Sequence, residues 1–121
     1  NAQFYTPVSI ATLSGRKLAS WGFEKDLCFW SFEHGEAKPG VSLYERCVAA
    51  LAARGVAASE TLYIGNDVRN DVAPAQQAGF RAALFAGDAR SLRWRRNDPR
   101  LADVRPDAVV TDLRQLLEIA L

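Results

Sequence analysis

One stretch of the chain has residue types and spacing that invite chemistry: Thr61 to Gly79, TLYIGNDVRNDVAPAQQAG. Leu62, Tyr63 and Ile64 have the character of a short strand. A Gly65-Asn66 turn follows, then a helical pattern carrying Asp67 and Asp71. Residues four apart stack on one helical face, so the spacing predicts two carboxylates side by side in an opening turn. The helix dipole favours negative charge there by about 0.3–1 kcal/mol. Two carboxylates in one crevice still repel, and a divalent cation resolves the conflict. Hard cations such as Mg2+ take one or two carboxylates and leave room for substrate phosphate. Acidic first turns also occur as ordinary helix-end charge. The strand, Gly, Asn-Asp, Asn-Asp context favours a site, because open parallel sheets hold ligands at the carboxyl ends of their strands.

The elements around this stretch follow from periodicity. Pro7 to Ser20 reads as a helix with proline in its first turn and Ile10, Leu13 and Leu18 apolar. Leu27 to Phe32, LCFWSF, is a dense apolar run of strand length. Glu33 to Gly40 is a polar loop, with His34 a lone loop histidine suited to backbone or surface bonding. Val41 to Arg54 is an amphipathic helix whose stripe is Val41, Tyr44, Val48 and Leu51. Phe80 to Ala86 and Ala108 to Val110 read as strands. Asp112 caps a last helix, with Gln115 three residues on and Leu113, Leu116, Leu117 and Ala120 on one face. Gly22, Gly55 and Gly79 stand where helices should stop. Alternating helices and strands predict an α/β, Rossmann-like parallel sheet with flanking helices.

A chain of 121 residues makes one domain, 1–121. Its net charge of +1 argues against a large acidic or basic partner. No run is long and apolar enough to span a membrane, and the N-terminus carries no signal-peptide pattern. Cys28 and Cys47 sit among apolar neighbours and read as buried thiols of a reducing compartment. The expected location is the cytoplasm. The segment from Gly87 to Asp107 gathers Arg90, Arg93, Arg95, Arg96, Arg100 and Arg105 around Trp94, with Asp88, Asp98, Asp103 and Asp107 interleaved. The acids dilute the field, so a solvated loop with Trp94 tucked against the body is expected rather than a nucleic-acid surface.

Two motifs together resemble the haloacid dehalogenase (HAD) superfamily, most of whose members are Mg2+-dependent phosphatases. Lys38 in GEAKPG (35–40) resembles the family's third motif. Asp67 and Asp71 in YIGNDVRND (63–71), followed by a small-residue helix and Ala78-Gly79-Phe80, resemble the fourth. The resemblance implies a small phosphomonoester substrate and a phosphoryl group passed to an aspartate and then to water. Catalysis of that kind is mostly positioning and electrostatics. Lys38 would supply a point charge to phosphate and to the attacking carboxylate. Asp67 would be the direct Mg2+ ligand, with Asp71 acting through water or orienting Lys38. Asn66, standing where many members carry the aspartate of Gly-Asp, is the alternative ligand.

The family's nucleophile lies in a DxDx motif, and no DxD occurs in this chain. The family's second motif is a Ser or Thr often followed by Asn. NAQFYTP resembles the residues immediately after that Ser or Thr, which makes Asn1 a candidate substrate-binding residue. The chain therefore reads as the C-terminal portion of a HAD-like core domain, with the first two core strands absent. Its sheet should be incomplete, and the missing N-terminal half, a second copy of the fragment or a rearranged pairing should fill the gap. The rival reading is a non-catalytic assembly module whose acidic pair is structural.

Overall fold

The computed structural model describes residues 1–119. Three parallel strands, β1 (Leu62–Gly65), β2 (Arg81–Phe85) and β3 (Ala108–Val110), form a sheet in the order β1-β2-β3. Tyr63 pairs with Ala82, Ile64 with Ala83, and Leu84 with Val109. The chain is thus α/β with a parallel sheet, as the alternation predicts. Among the described residues nothing pairs with the outer edge of β1.

The helices are α1 (Thr6–Ser14), α2 (Ser31–His34), α3 (Ser42–Ala52) and α4 (Ala73–Gln77). Tyr44 and Leu51 of α3 pack with Val68, Val72, Ala75, Phe80, Ala82 and Leu84 in one core. Val48 lies half-buried beside them, so Tyr44, Val48 and Leu51 of the stripe read from the sequence form the packed face of α3, while Val41 stands before the helix as its N-cap. No described helix is long and apolar enough to cross a membrane.

Several readings need correction. The first helix ends at Ser14, because Gly15 takes a left-handed φ of 67°. Leu18 to Trp21 is a separate 3-10 turn closed by Gly22. The run from Leu27 to Phe32 is not a strand. Its backbone is extended at Cys28 and Trp30, but with no neighbouring strand to bond it, Ser31 to His34 coils into α2, so His34 lies on a helix. The last element, Leu113–Glu118, is 3-10 rather than α. Asp112 and Gln115 do form its capping box, yet Leu113 and Leu117 are exposed; Ala120 lies outside the described residues. Gly22, Gly55 and Gly79 all have positive φ (81°, 75° and 93°). Cys28 and Cys47 are free thiols, half-buried rather than buried.

Candidate active site

Beyond β1 the chain turns at Asn66 and enters a π-type turn, Val68–Val72, that leads into α4. The Val72 amide reaches the Asp67 carbonyl at 3.3 Å, and the Asp71 amide reaches the same carbonyl at 2.8 Å. Asp67 is therefore not in the first turn. It sits before it in extended backbone (φ −127°, ψ 118°) as the N-cap, and its carboxylate accepts the Arg69 and Asn70 amides. This corrects the stacked pair expected from the four-residue spacing: capping takes Asp67 off the helical face.

Asp71 folds back under the strand end. Its Oδ2 accepts the Asn66 and Asp67 amides, both at 3.0 Å. This approach depends on Gly65, where an added Cβ would collide with the Asp71 side chain. The other oxygen, Oδ1, lies 2.5 Å from Lys38 Nζ. The Tyr63 hydroxyl donates to the same Oδ1 at 3.5 Å and accepts from Lys38 at 3.4 Å. Tyr44 stands behind it, donating to the Asn70 carbonyl at 2.8 Å with its hydroxyl 3.3 Å from that of Tyr63. Burial works against the Lys38 ammonium, but Asp71 and Tyr63 outweigh it and hold the amine above its usual range. Burial likewise pushes the Tyr44 hydroxyl up, out of the titrating range.

Asn1 fixes the lysine's backbone. Its Oδ1 accepts the Lys38 amide at 2.7 Å, and its Nδ2 donates to the Lys38 carbonyl at 3.3 Å. Nearby, the Ala2 amide donates to Ser31 Oγ at 2.8 Å.

Asp67 faces a different cation. Arg95 grips it twice, Nε to Oδ1 at 3.1 Å and Nη2 to Oδ2 at 2.7 Å. Asn70 Nδ2 adds a further bond at 2.9 Å. Burial opposes the Asp67 charge, yet the Arg95 guanidinium and the Arg69 and Asn70 amides more than offset it, holding the carboxyl below its usual range. The segment carrying Arg95 is stitched to the same turn: Arg93 N bonds the Asn66 carbonyl at 2.8 Å, Val68 N bonds the Arg93 carbonyl at 3.0 Å, and Asn66 Nδ2 bonds the Ser91 carbonyl at 2.6 Å.

Asn1, Lys38, Asn66, Asp67, Asn70, Asp71, Ser91 and Arg93 border one open cleft of about 310 Å³. All five residues singled out in the sequence thus converge. The donors are hard oxygens, the chemistry Mg2+ requires. The fit is uneven: both Asp67 oxygens are taken by five donors, whereas Asn66 Oδ1 accepts no bond from the described residues, and Asp71 Oδ1 is shared between Lys38 and a long contact from Tyr63. Asn66 and Asp71 thus offer a hard cation oxygens with fewer existing bonds than those of Asp67. Sequence reasoning missed Tyr44 and Tyr63, whose rings read as core while their hydroxyls reach the site. It also missed Arg95, which reads as one solvated arginine among several. Trp94 does pack against the core, as expected.

A second, mainly apolar cavity of about 330 Å³ lies beside β1, lined in part by Leu27, Phe29, Trp30, Leu62, Tyr63 and Phe80.

The family model described as HAD-hydrolase-like matches residues 36–116. Phospholysine phosphohistidine inorganic pyrophosphate phosphatase of Rattus norvegicus is 36% identical over 73 residues, 60% of this chain and 26% of that protein. The chain thus spans about a quarter of the length of that curated relative. A putative HAD-hydrolase of Bacillus subtilis, solved bound to magnesium, superposes with a TM-score of 0.70 at 22% identity over 98% of this chain and 45% of its own. A HAD phosphatase of Thermococcus onnurineus gives 0.67 at 18% identity, over 97% and 46%. At those identities the two share the fold. A 2-haloacid dehalogenase of Pseudomonas syringae pv. Tomato DC3000 gives 0.52 at 31% identity, over 71% and 33%.

Proposed function

The chain belongs to the HAD-hydrolase-like family, and we propose that it supplies the lysine and the oxygen donors of a Mg2+-dependent phosphatase acting on a small phosphomonoester. The observation that carries this reading is the Lys38–Asp71 pair, 2.5 Å apart at the carboxyl end of β1 and open to a cleft. Phosphoryl transfer spreads charge over the phosphoryl oxygens and asks mainly for positioned opposite charge. Lys38 provides it as a compact ammonium. Asp71 and Tyr63 fix where that ammonium sits, and Asn1 fixes the loop that carries it. Asn66 and Asp71 would hold Mg2+, which when bound neutralises phosphoryl oxygens without proton transfer. The relative from rat acts, by its name, on phospholysine, phosphohistidine and inorganic pyrophosphate, so small phosphorylated compounds are the substrate class to screen.

An aspartyl-phosphate route needs an attacking carboxylate. Asp71 is tied to Lys38 and Asp67 to Arg95, and no DxD occurs in these 121 residues. The nucleophile therefore comes from outside them, on a segment that bonds the free edge of β1 and fills the apolar cavity beside it.

Turnover of p-nitrophenyl phosphate with MgCl2 tests the reading. Activity in the protein that completes the site, falling at least about 100-fold in Lys38→Ala, is the expected result. Robust turnover by these 121 residues alone would refute the external nucleophile.

A second reading is a non-catalytic assembly module, favoured by the unpaired β1 edge and its apolar neighbour cavity. Stabilisation by Mg2+ that is lost in Asp71→Asn supports the enzyme; indifference to metal supports the module.

A further inference from the structure

We propose that Asp67 and Arg95 form a clamp that holds residues 91–95 across the carboxyl end of β1, making Arg95 a positioning residue for the Ser91 and Arg93 wall of the cleft. The segment alternates as a strand does. Leu92 and Trp94 pack against the core, while Ser91 and Arg93 border the cleft and Arg95 reaches Asp67. It has no full strand partner. Its only ladder contact among the described residues is the single parallel bridge between Asp67 and Arg93. Three bonds to Asn66 and Val68 and the two-pronged Arg95 grip hold it there.

Arg95 is built for this task. Its backbone is left-handed, with φ 60°, which no other non-glycine residue shares among those described. Such a conformation persists in a non-glycine residue only where the surroundings hold it. The partner carboxylate is 9% exposed, and five donors use its lone pairs. The Asn70 and Arg69 bonds fix the carboxylate to its own turn, so Arg95 is fixed to that turn with it. A planar guanidinium meeting a carboxylate on two bonds sets orientation as well as distance, which a lysine cannot reproduce. That the wall would meet the leaving-group side of a phosphomonoester rests on the phosphatase reading; the clamp itself does not.

Amide hydrogen exchange in the purified protein is the test. The Val68 and Arg93 amides report the two backbone bonds of the stitch. In Arg95→Ala their exchange should rise at least tenfold, in Arg95→Lys less, and in Asp67→Asn about as much as in Arg95→Ala, with the double variant no worse than either. Amides of α3 should stay protected. Unchanged exchange at Val68 and Arg93, or an equal rise along the whole chain, would overturn the clamp. So would Asp67→Asn abolishing the thermal shift produced by MgCl2 while Arg95→Ala keeps it, because Asp67 would then be serving the metal. In the protein that completes the site, with p-nitrophenyl phosphate, Arg95→Ala should raise KM more than it lowers kcat. Absence of turnover in the protein that completes the site would count against the phosphatase reading, and the exchange data would still decide the clamp.

Discussion

Asp67 and Asp71 are buried and fully partnered, whereas no residue from Asn1 to Gly35 is buried and Phe4, Val8, Leu13, Trp21 and Phe23 lie in solvent. The contrast inverts the usual rule that acids lie outside and apolar side chains inside. What separates the two regions is the supply of partners. The 65–72 turn meets donors from three directions: its own amides, Lys38 from the 35–40 loop and Arg95 from the arginine segment. Among the described residues, Leu27 alone of the first 35 packs against the core. The Arg54 pairs with Glu24 and Asp26 that reach back from the end of α3 are solvent-exposed, and such pairs stabilise little.

Five measurements would break or sharpen that contrast. The largest effect should come from Leu84→Ala, at a fully buried position of β2; urea unfolding should show a loss of about 3–4 kcal/mol. Gly65→Ala forces a Cβ into Asp71 and should cost about 3 kcal/mol by the same assay, at the upper end for overpacking. Asp71→Asn removes the charge partner of a half-buried lysine and should cost about 2 kcal/mol, together with any response to MgCl2.

Acid titration of stability should give a smaller change. The Asp67 carboxyl is held below its usual value, so its contribution is complete above about pH 4 and is lost as pH falls through the lowered value. Asp67→Asn should flatten that acid limb and leave the alkaline limb alone. There the Lys38 contribution, present below its ordinary pKa, is lost as pH rises through the raised one. The smallest effect should be Leu13→Ser, within about 0.5 kcal/mol, because that side chain is 88% exposed. A loss above about 2 kcal/mol there would mean that the N-terminal apolar surface is covered in solution.

The same difference explains what was legible in the sequence. Elements that bury a face carry a period, and α3, β1, β2 and β3 are all readable from it. The Asn66–Asp71 turn was legible because strand, glycine and acid occur in a fixed order, and Lys38 and Asn1 through the family resemblance of GEAKPG and NAQFYTP. The run from Leu27 to Phe32 misled because its composition states a propensity, and a strand also needs a neighbour to bond. The two aspartates misled because spacing alone cannot tell a capping residue from a helical one. Arg95 was illegible for a different reason: it meets Asp67 across 28 residues, and nothing in a run of arginines marks which one turns inward.

The π-type turn at Val68–Val72 makes the residue count of this loop matter as much as its spelling. A π-turn holds one residue more than an α-turn over the same span. Removing a single residue between Asp67 and Ala73 would let the turn relax to α geometry, where each position advances about 100° around the axis. Every side chain upstream would then be re-aimed relative to α4, and Asp71 would swing off Lys38 although no functional residue had been altered. Length variation here should therefore be far less tolerated than substitution at the exposed Arg69.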